Sequence, residues 1–120
     1  MRARVSVLML LLPVIALADG NECKVGEQCV VRGVLRIYVT PPESTAVLEG
    51  EGKCIPLALS PTVLTAHEQW TGKAVTVVGL VYAHSVADGV LSYQLQGRAV
   101  TGSICRSSPI ALFVSEIRAE

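Results

Sequence analysis

The chain has 120 residues, of which 51% are hydrophobic and 17% charged, with ten basic and ten acidic side chains. This length is enough for one domain and too short for two of ordinary size. The balanced charge, with one Trp, three Tyr and one Phe, excludes the basic groove and the aromatic platforms by which proteins bind single-stranded nucleic acid.

The first 18 residues predict a cleaved signal peptide. Arg2 and Arg4 give a positively charged start, an apolar run covers 5–17, and an Ala-x-Ala site ends at Ala18. The run is shorter than the about 20 residues that span a membrane, so an uncleaved anchor or a buried helix is the less favoured interpretation. We expect 19–120 to be one periplasmic or secreted bacterial domain, weakly acidic and without a stable membrane anchor.

The four cysteines of the exported part predict two disulfides, because an even number in a small exported domain is typical of a disulfide framework. The Cys-x5-Cys spacing does not match a zinc knuckle, and no histidine pair follows it. We therefore expect neither a metal nor a cofactor. The cysteines are Cys23, Cys29, Cys54 and Cys105.

The first strand is predicted at Cys29–Val39 from its period-two alternation. Its aliphatic residues at positions 31, 35, 37 and 39 fall on one face, and Arg32 and Arg36 fall on the other. Gly33 lies in the middle of the inner face, where a missing side chain allows a sharp bend. This segment is therefore expected to be a curved, half-buried strand.

Short strands and one helix are predicted after the first strand. Ser60 before Pro61 is typical of a helix start and Gly72 of a helix end, so we expect one helix of about three turns. Pro56 indicates that its strand lies at an edge or is bulged. The other predicted elements are a turn at 40–44, strands at 45–49, 53–59 and 73–83, a hairpin turn at 87–89, an alternating segment at 90–100, a loop at 102–109 and a last strand at 110–117.

This order of elements predicts a mostly β fold. We expect a small five-stranded OB-like barrel with one helix between strands three and four and an extra hairpin before the last strand. Gly33 and Gly79 lie within strands, where small barrels need kinks in order to close. A small open sandwich of six or seven strands is the alternative.

The predicted barrel also favours one pairing of the cysteines. Its third and fifth strands are parallel neighbours, so Cys54 and Cys105 approach the same end of the barrel. Cys23 and Cys29 flank the start of the first strand at that end. Cys23–Cys29 and Cys54–Cys105 are therefore preferred over the two other pairings that four cysteines allow.

The segment Gly72–Tyr82 contains a loose Gly-Lys-x-Val-x-Val-x-Gly motif. With one cysteine ahead of the first strand and another near the third, the chain resembles small exported bacterial OB-fold domains of unclassified function. The resemblance implies an OB fold and an envelope location, and it implies no activity. The segment 84–109 departs from the family because it is much longer than such a domain requires.

The sequence offers no recognisable catalytic arrangement, so we do not expect an enzyme. His67 and Trp70 fall on the packed face of the predicted helix, and His84 with Asp88 lacks a third metal ligand. The serines lie outside any G-x-S-x-G context. The pair Glu49 and Glu51 flanks glycine in a tight turn, which favours a solvated hairpin tip over a hydrolytic dyad.

Binding is the function that the sequence favours. The long connection 84–109 is not demanded by the fold, and long ordered loops are often functional. We predict a non-catalytic binding module that recognises another envelope or secreted protein through this connection, for example as an inhibitor or an immunity protein. The structural alternative is a hairpin that only completes the sheet. Candidate contact residues are His84, Tyr93, Gln94, Gln96, Arg98 and Arg106.

Two other binding functions remain open from the sequence. The first is a small-ligand or glycan binder on the open barrel face of strands two and three, with Tyr38 and Tyr82 as aromatic platforms. The second is an accessory subunit of an envelope complex. The sequence leaves the oligomeric state undetermined.

Overall fold

The computed structural model describes residues 23–39, 43–84 and 89–120. The predicted signal peptide, most of the turn at 40–44 and most of the turn at 87–89 lie outside these ranges. No helix in the described ranges is long and apolar enough to cross a membrane. The elements in chain order are β1 (Gln28–Tyr38), β2 (Thr45–Gly50), β3 (Lys53–Ala58), α1 (Pro61–Thr65), α2 (His67–Trp70), β4 (Ala74–Ala83), β5 (Ser92–Leu95), β6 (Arg98–Thr101) and β7 (Ile110–Ala119).

Five strands close into a mixed β-barrel with the neighbour order β1-β2-β3-β7-β4, and β4 pairs again with β1. All neighbours are antiparallel except β3 and β7, which are parallel. The fold is therefore mostly β and closed, and the open sandwich is wrong. Strands β5 and β6 form a separate antiparallel hairpin between β4 and β7.

The barrel interior is filled by aliphatic side chains that alternate along each strand. In β1, Val31, Leu35 and Ile37 are buried, as the period-two pattern predicts. The same pattern predicts a buried Val39, but Val39 is 55% exposed because β1 ends one residue earlier. In β4 the inner residues are buried and the outer ones are half-buried. Strand β4 pairs with β1 on one side and β7 on the other, as its apolar sequence indicates.

Two glycines allow the strands to approach each other where the barrel bends. β1 changes its pairing from β4 to β2 at Val34, and a Cβ on the preceding Gly33 would lie 2.6 Å from the carbonyl oxygen of Glu49. A Cβ on Gly79 would lie 2.6 Å from the carbonyl oxygen of Phe113, beside a register shift in the β4–β7 ladder. No other residue fits these positions without backbone movement.

The barrel is closed by a short seam between β3 and β7. Only Leu57 and Ala58 of β3 have Cα partners in β7. Pro56 immediately precedes them, so its missing N–H costs the β3–β7 ladder nothing. The Cys54–Cys105 disulfide lies beside the open half of the seam, with Cα atoms 5.3 Å apart.

Both predicted disulfide pairings are confirmed. Besides the seam disulfide, Cys23 and Cys29 are bonded, with Cα atoms 5.5 Å apart. The cysteines contribute no free thiol, because all four are paired.

The single helix of three turns is wrong, because two short helices of five and four residues replace it. Ser60 does cap the first helix, accepting a hydrogen bond from the N–H of Val63. The chain leaves helical geometry at Ala66, where φ is −92° and ψ is 30°. Three of the five residues in α1 are β-branched, which weakens the helix.

Candidate binding surface

The hairpin β5–β6 dominates the long connection. Gln96 and Gly97 form its two-residue turn, with φ of 52° and 81°. Positive φ at both positions is typical of a type I′ turn, which matches the twist of an antiparallel pair. The alternating segment predicted at 90–100 therefore contains two strands. Its turn lies well after the predicted one at 87–89.

The inner face of the hairpin packs against the outside of the barrel. Val100 is fully buried there and forms a second apolar cluster, separate from the barrel interior. This contact explains why residues on both faces of β2 and β3 are buried. The cluster comprises Val100, Ala58 and Ala111, with Tyr93, Leu95 and Phe113 packed against it.

Arg98 fixes the hairpin to the seam of the barrel. Its Nη1 donates hydrogen bonds to the carbonyl oxygens of Ala58, at 3.1 Å, and Val114, at 2.8 Å. Its guanidinium carbon lies 3.9 Å from the ring centroid of Phe113, a cation–π contact. The predicted contact residue Arg98 is therefore occupied in holding the hairpin in place.

His84 and Tyr93 form a polar pair at the base of the hairpin. His84 Nδ1 and the Tyr93 hydroxyl share a hydrogen bond of 2.7 Å, and the backbone N–H of His84 donates to the carbonyl of Pro109. His84 is 9% exposed. Burial lowers the pKa of its imidazole below the ordinary value of 6.5 and raises the pKa of the Tyr93 phenol. This pair is therefore uncharged near neutral pH.

Two amide side chains tie the hairpin to the rest of the chain. Gln94 Nε2 donates to a carboxylate oxygen of Glu43 at 2.6 Å, and the Ser92 hydroxyl donates to the other oxygen at 3.4 Å. Gln96 Nε2 donates to the Tyr82 hydroxyl at 2.9 Å. Contacts therefore reach the hairpin from the β1–β2 connection and from β4.

The exposed side chains of the hairpin are mainly uncharged. Leu91 is 76% exposed, the largest value among the exposed apolar side chains of the described residues. Gln94 and Gln96 are also exposed. We call Leu91, Gln94, Gln96 and the contacting Glu43 the hairpin surface. Arg106 is exposed in the loop before β7 and lies outside this set.

The barrel face of strands two and three is not open. Tyr38 on β1 and Tyr82 on β4 both face outward. β4 pairs only with Gln28–Val34 of β1, and β2, β3 and β7 lie between the two tyrosines at the end where Tyr38 stands. The hairpin lies over the strands between them, and Gln96 occupies the Tyr82 hydroxyl. The two tyrosines therefore do not form one aromatic platform.

An open cleft of about 430 Å³ is lined by the middle of β1, the end of β2 and the start of β3, and by no residue of the hairpin. Its apolar part includes Val31, Leu48 and Ile55, and its charged residues include Arg32 and Glu120. An ion pair of 3.4 Å joins these last two side chains. The cleft therefore combines an apolar floor with charges of both signs.

Three residues of the site were missed by sequence reasoning. Glu43 was assigned to a turn, Leu91 to an alternating segment, and Phe113 to the last strand. Their roles depend on contacts between segments far apart in the chain, and no local motif marks them.

The described part of the chain holds no group of three or more His, Cys, Asp or Glu side chains able to bind a metal ion. Comparison with protein-family models and with curated proteins gave no match to this chain.

Proposed function

We propose that this chain is a non-catalytic binding module of the bacterial periplasm or exterior, recognising another exported protein through the connection 84–109. The observation that supports it is the fixed hairpin. Arg98 and the Val100 cluster hold it on the barrel, while Leu91 and Gln94 stay exposed. A rigid surface loses little conformational entropy on binding, which favours affinity.

The compartment and the fold type are part of this proposal. Two disulfides are compatible with an oxidising, extracytoplasmic environment. The strand order β1-β2-β3-β7-β4, with short helices after β3, supports an OB-like barrel. In such barrels the connections that follow the first and fourth strands flank the binding face. Here Gln94 and Glu43 join these two connections.

Site-specific photo-crosslinking in the native host tests the proposal. A photoreactive residue replaces Leu91 in one variant and Val25, which is 60% exposed outside the hairpin surface, in the control. We expect a discrete adduct with a different exported protein from position 91 and none from position 25. Absence of an adduct at position 91, or the same adduct from both positions, would refute the proposed surface.

The identity of the adduct distinguishes two forms of this function. One soluble exported protein in the adduct fits an inhibitor or immunity protein, whereas components of a larger assembly fit an accessory subunit. Leu91→Asp should abolish the adduct formed by a photoreactive residue at position 94, because a charge in an apolar contact is costly to desolvate.

Small-ligand binding is the second candidate function, and the cleft at Gly50 favours it over the covered barrel face. Gly50 lines the cleft, and a Cβ there would meet no atom closer than 3.5 Å. Native mass spectrometry of the protein from its host should show a non-covalent adduct that Gly50→Trp removes and that Val25→Trp, at an exposed position outside the cleft, retains. A spectrum without an adduct in the unmodified protein would contradict this candidate.

A further inference from the structure

The first half of β1 has a neighbouring strand on one side only. Residues 34–38 pair with β2, whereas residues 28–33 pair with β4 alone. Within the described residues, no backbone group of the β2–β3 turn bonds to this first half. The side of β1 that would continue the β1–β2 ladder is therefore an open strand edge over 28–33.

Every second residue of this edge directs its backbone groups away from β4. The N–H of Leu35 donates to the carbonyl of Lys73, and the N–H of Val81 donates to the carbonyl of Glu27. These bonds extend the β1–β4 ladder at its two ends, and both use an odd-numbered residue of β1. Because antiparallel hydrogen bonding alternates with a period of two, the odd-numbered residues bond to β4 throughout, and the even-numbered residues point to the open edge.

The open edge lines the cleft of about 430 Å³. The even-numbered Val30 and Arg32 line one side of the cleft, and the β2–β3 turn lines the other. Both of these side chains face outward, whereas Val31, Leu48 and Ile55, which also line the cleft, belong to the barrel core. Because residues from both faces of the wall line it, the cleft is a gap in the barrel wall. It has backbone hydrogen-bonding groups at its side and an apolar floor.

The groups that line this gap restrict the class of ligand that can bind there. Backbone N–H and carbonyl groups on every second residue match the donors and acceptors of another extended chain. A purely apolar ligand would exclude water from these groups and leave them unpaired, which is unfavourable. A glycan would place hydroxyl groups on the apolar floor. An extended peptide fits both parts of the gap, because its backbone pairs with the edge and its side chains alternate between two faces.

We propose that the cleft binds an extended peptide segment of another protein, which adds to the open edge of β1 as an additional strand. The segment bonds to the backbone of Val30 and Arg32, and one of its apolar side chains packs on Val31, Leu48 and Ile55. The inference rests on the cleft being a binding site, the second candidate function above, and it names the ligand class. It does not depend on the hairpin surface, because no residue of the hairpin lines the cleft.

Selection from a displayed library of random short peptides on the immobilised, disulfide-bonded protein tests the ligand class. We expect enriched peptides with apolar residues at alternate positions. Their affinity should fall at least about tenfold in Gly50→Trp and stay unchanged in Val25→Trp and in Leu91→Asp, which lie outside the cleft. A selection that yields no peptide weakened by Gly50→Trp would overturn the proposal. A non-peptide adduct in native mass spectrometry would then retain the cleft as a small-ligand site, so the two failures are distinguishable.

Amide exchange of the unmodified protein tests the strand addition without a variant. In the free protein the amides of Val30 and Arg32 should exchange rapidly and those of Val31 and Gly33 slowly, because only the latter bond to β4. A saturating concentration of a selected peptide should protect Val30 and Arg32. Protection of these two amides in the free protein, or peptide binding that leaves them unprotected, would show that the edge is not the binding site.

Discussion

The Arg98 side chain connects the hairpin to both strands of the β3–β7 seam. Arg98→Ala removes two hydrogen bonds to backbone carbonyls and the contact with the Phe113 ring. We expect a loss of about 2–3 kcal/mol in the free energy of unfolding, measured by urea denaturation. The exposed Lys24→Ala is the control, with a change within about 0.5 kcal/mol. Equal effects of both substitutions would show that Arg98 does not anchor the hairpin.

His84 makes stability depend on pH. Its folded-state pKa lies below the ordinary value of 6.5 because of burial, so the unfolded chain binds the extra proton more readily. Stability from this group is fully present above pH 6.5 and is lost as pH falls through the folded-state pKa. The midpoint of urea unfolding should therefore decrease on acidification, and His84→Gln should reduce that decrease. An identical pH profile in the variant would contradict the assignment.

Gly79 should be intolerant of any side chain. Gly79→Ala places a Cβ against the carbonyl of Phe113, so we expect the free energy of unfolding to fall by about 2–4 kcal/mol. Gly50→Ala, whose Cβ has room, is the matched control and should change stability by less than about 1 kcal/mol. Thermal or urea unfolding followed by circular dichroism measures both. A neutral Gly79→Ala would mean that the β4–β7 bulge is wider than described.

At the scale of elements, the two disulfides should differ in their contribution. Cys54–Cys105 closes a loop with a sequence separation of 51, and Cys23–Cys29 closes one of 6. Loop entropy predicts a loss of about 4 kcal/mol for the double Ala variant of the first pair and about 2 kcal/mol for that of the second. Urea unfolding of both double variants tests the order, and a larger loss for the short loop would contradict it.

Elements with a strong local pattern were predictable from the sequence. The period-two alternation of β1 and the β-branched run of β4 locate both strands, and Gly33 and Gly79 locate their bends. The spacing of apolar residues predicts one helix, and it carries no information about the backbone angles of Ala66, where the helix breaks. The Gln96–Gly97 turn was missed because glutamine is a weaker type I′ signal than asparagine or aspartate.

At the scale of the whole molecule, the candidate site was predictable in part. The length of 84–109 and its polar residues directed attention to a segment that the structure shows to contain the hairpin. The Arg98 side chain contacts the barrel and Leu91 is exposed. Both facts depend on how the hairpin lies on the barrel. This arrangement joins Val100 to Ala58 and Ala111, residues that local periodicity cannot bring together.

The central claim is that the hairpin is packed on the outer face of the barrel, which leaves Leu91, Gln94 and Gln96 exposed for binding. Nuclear Overhauser contacts of the Val100 methyl groups test it most directly. We predict cross-peaks from these methyls to the methyl protons of Ala58 and Ala111. Cross-peaks confined to the hairpin itself, with Val100 shifts near random-coil values, would contradict the account.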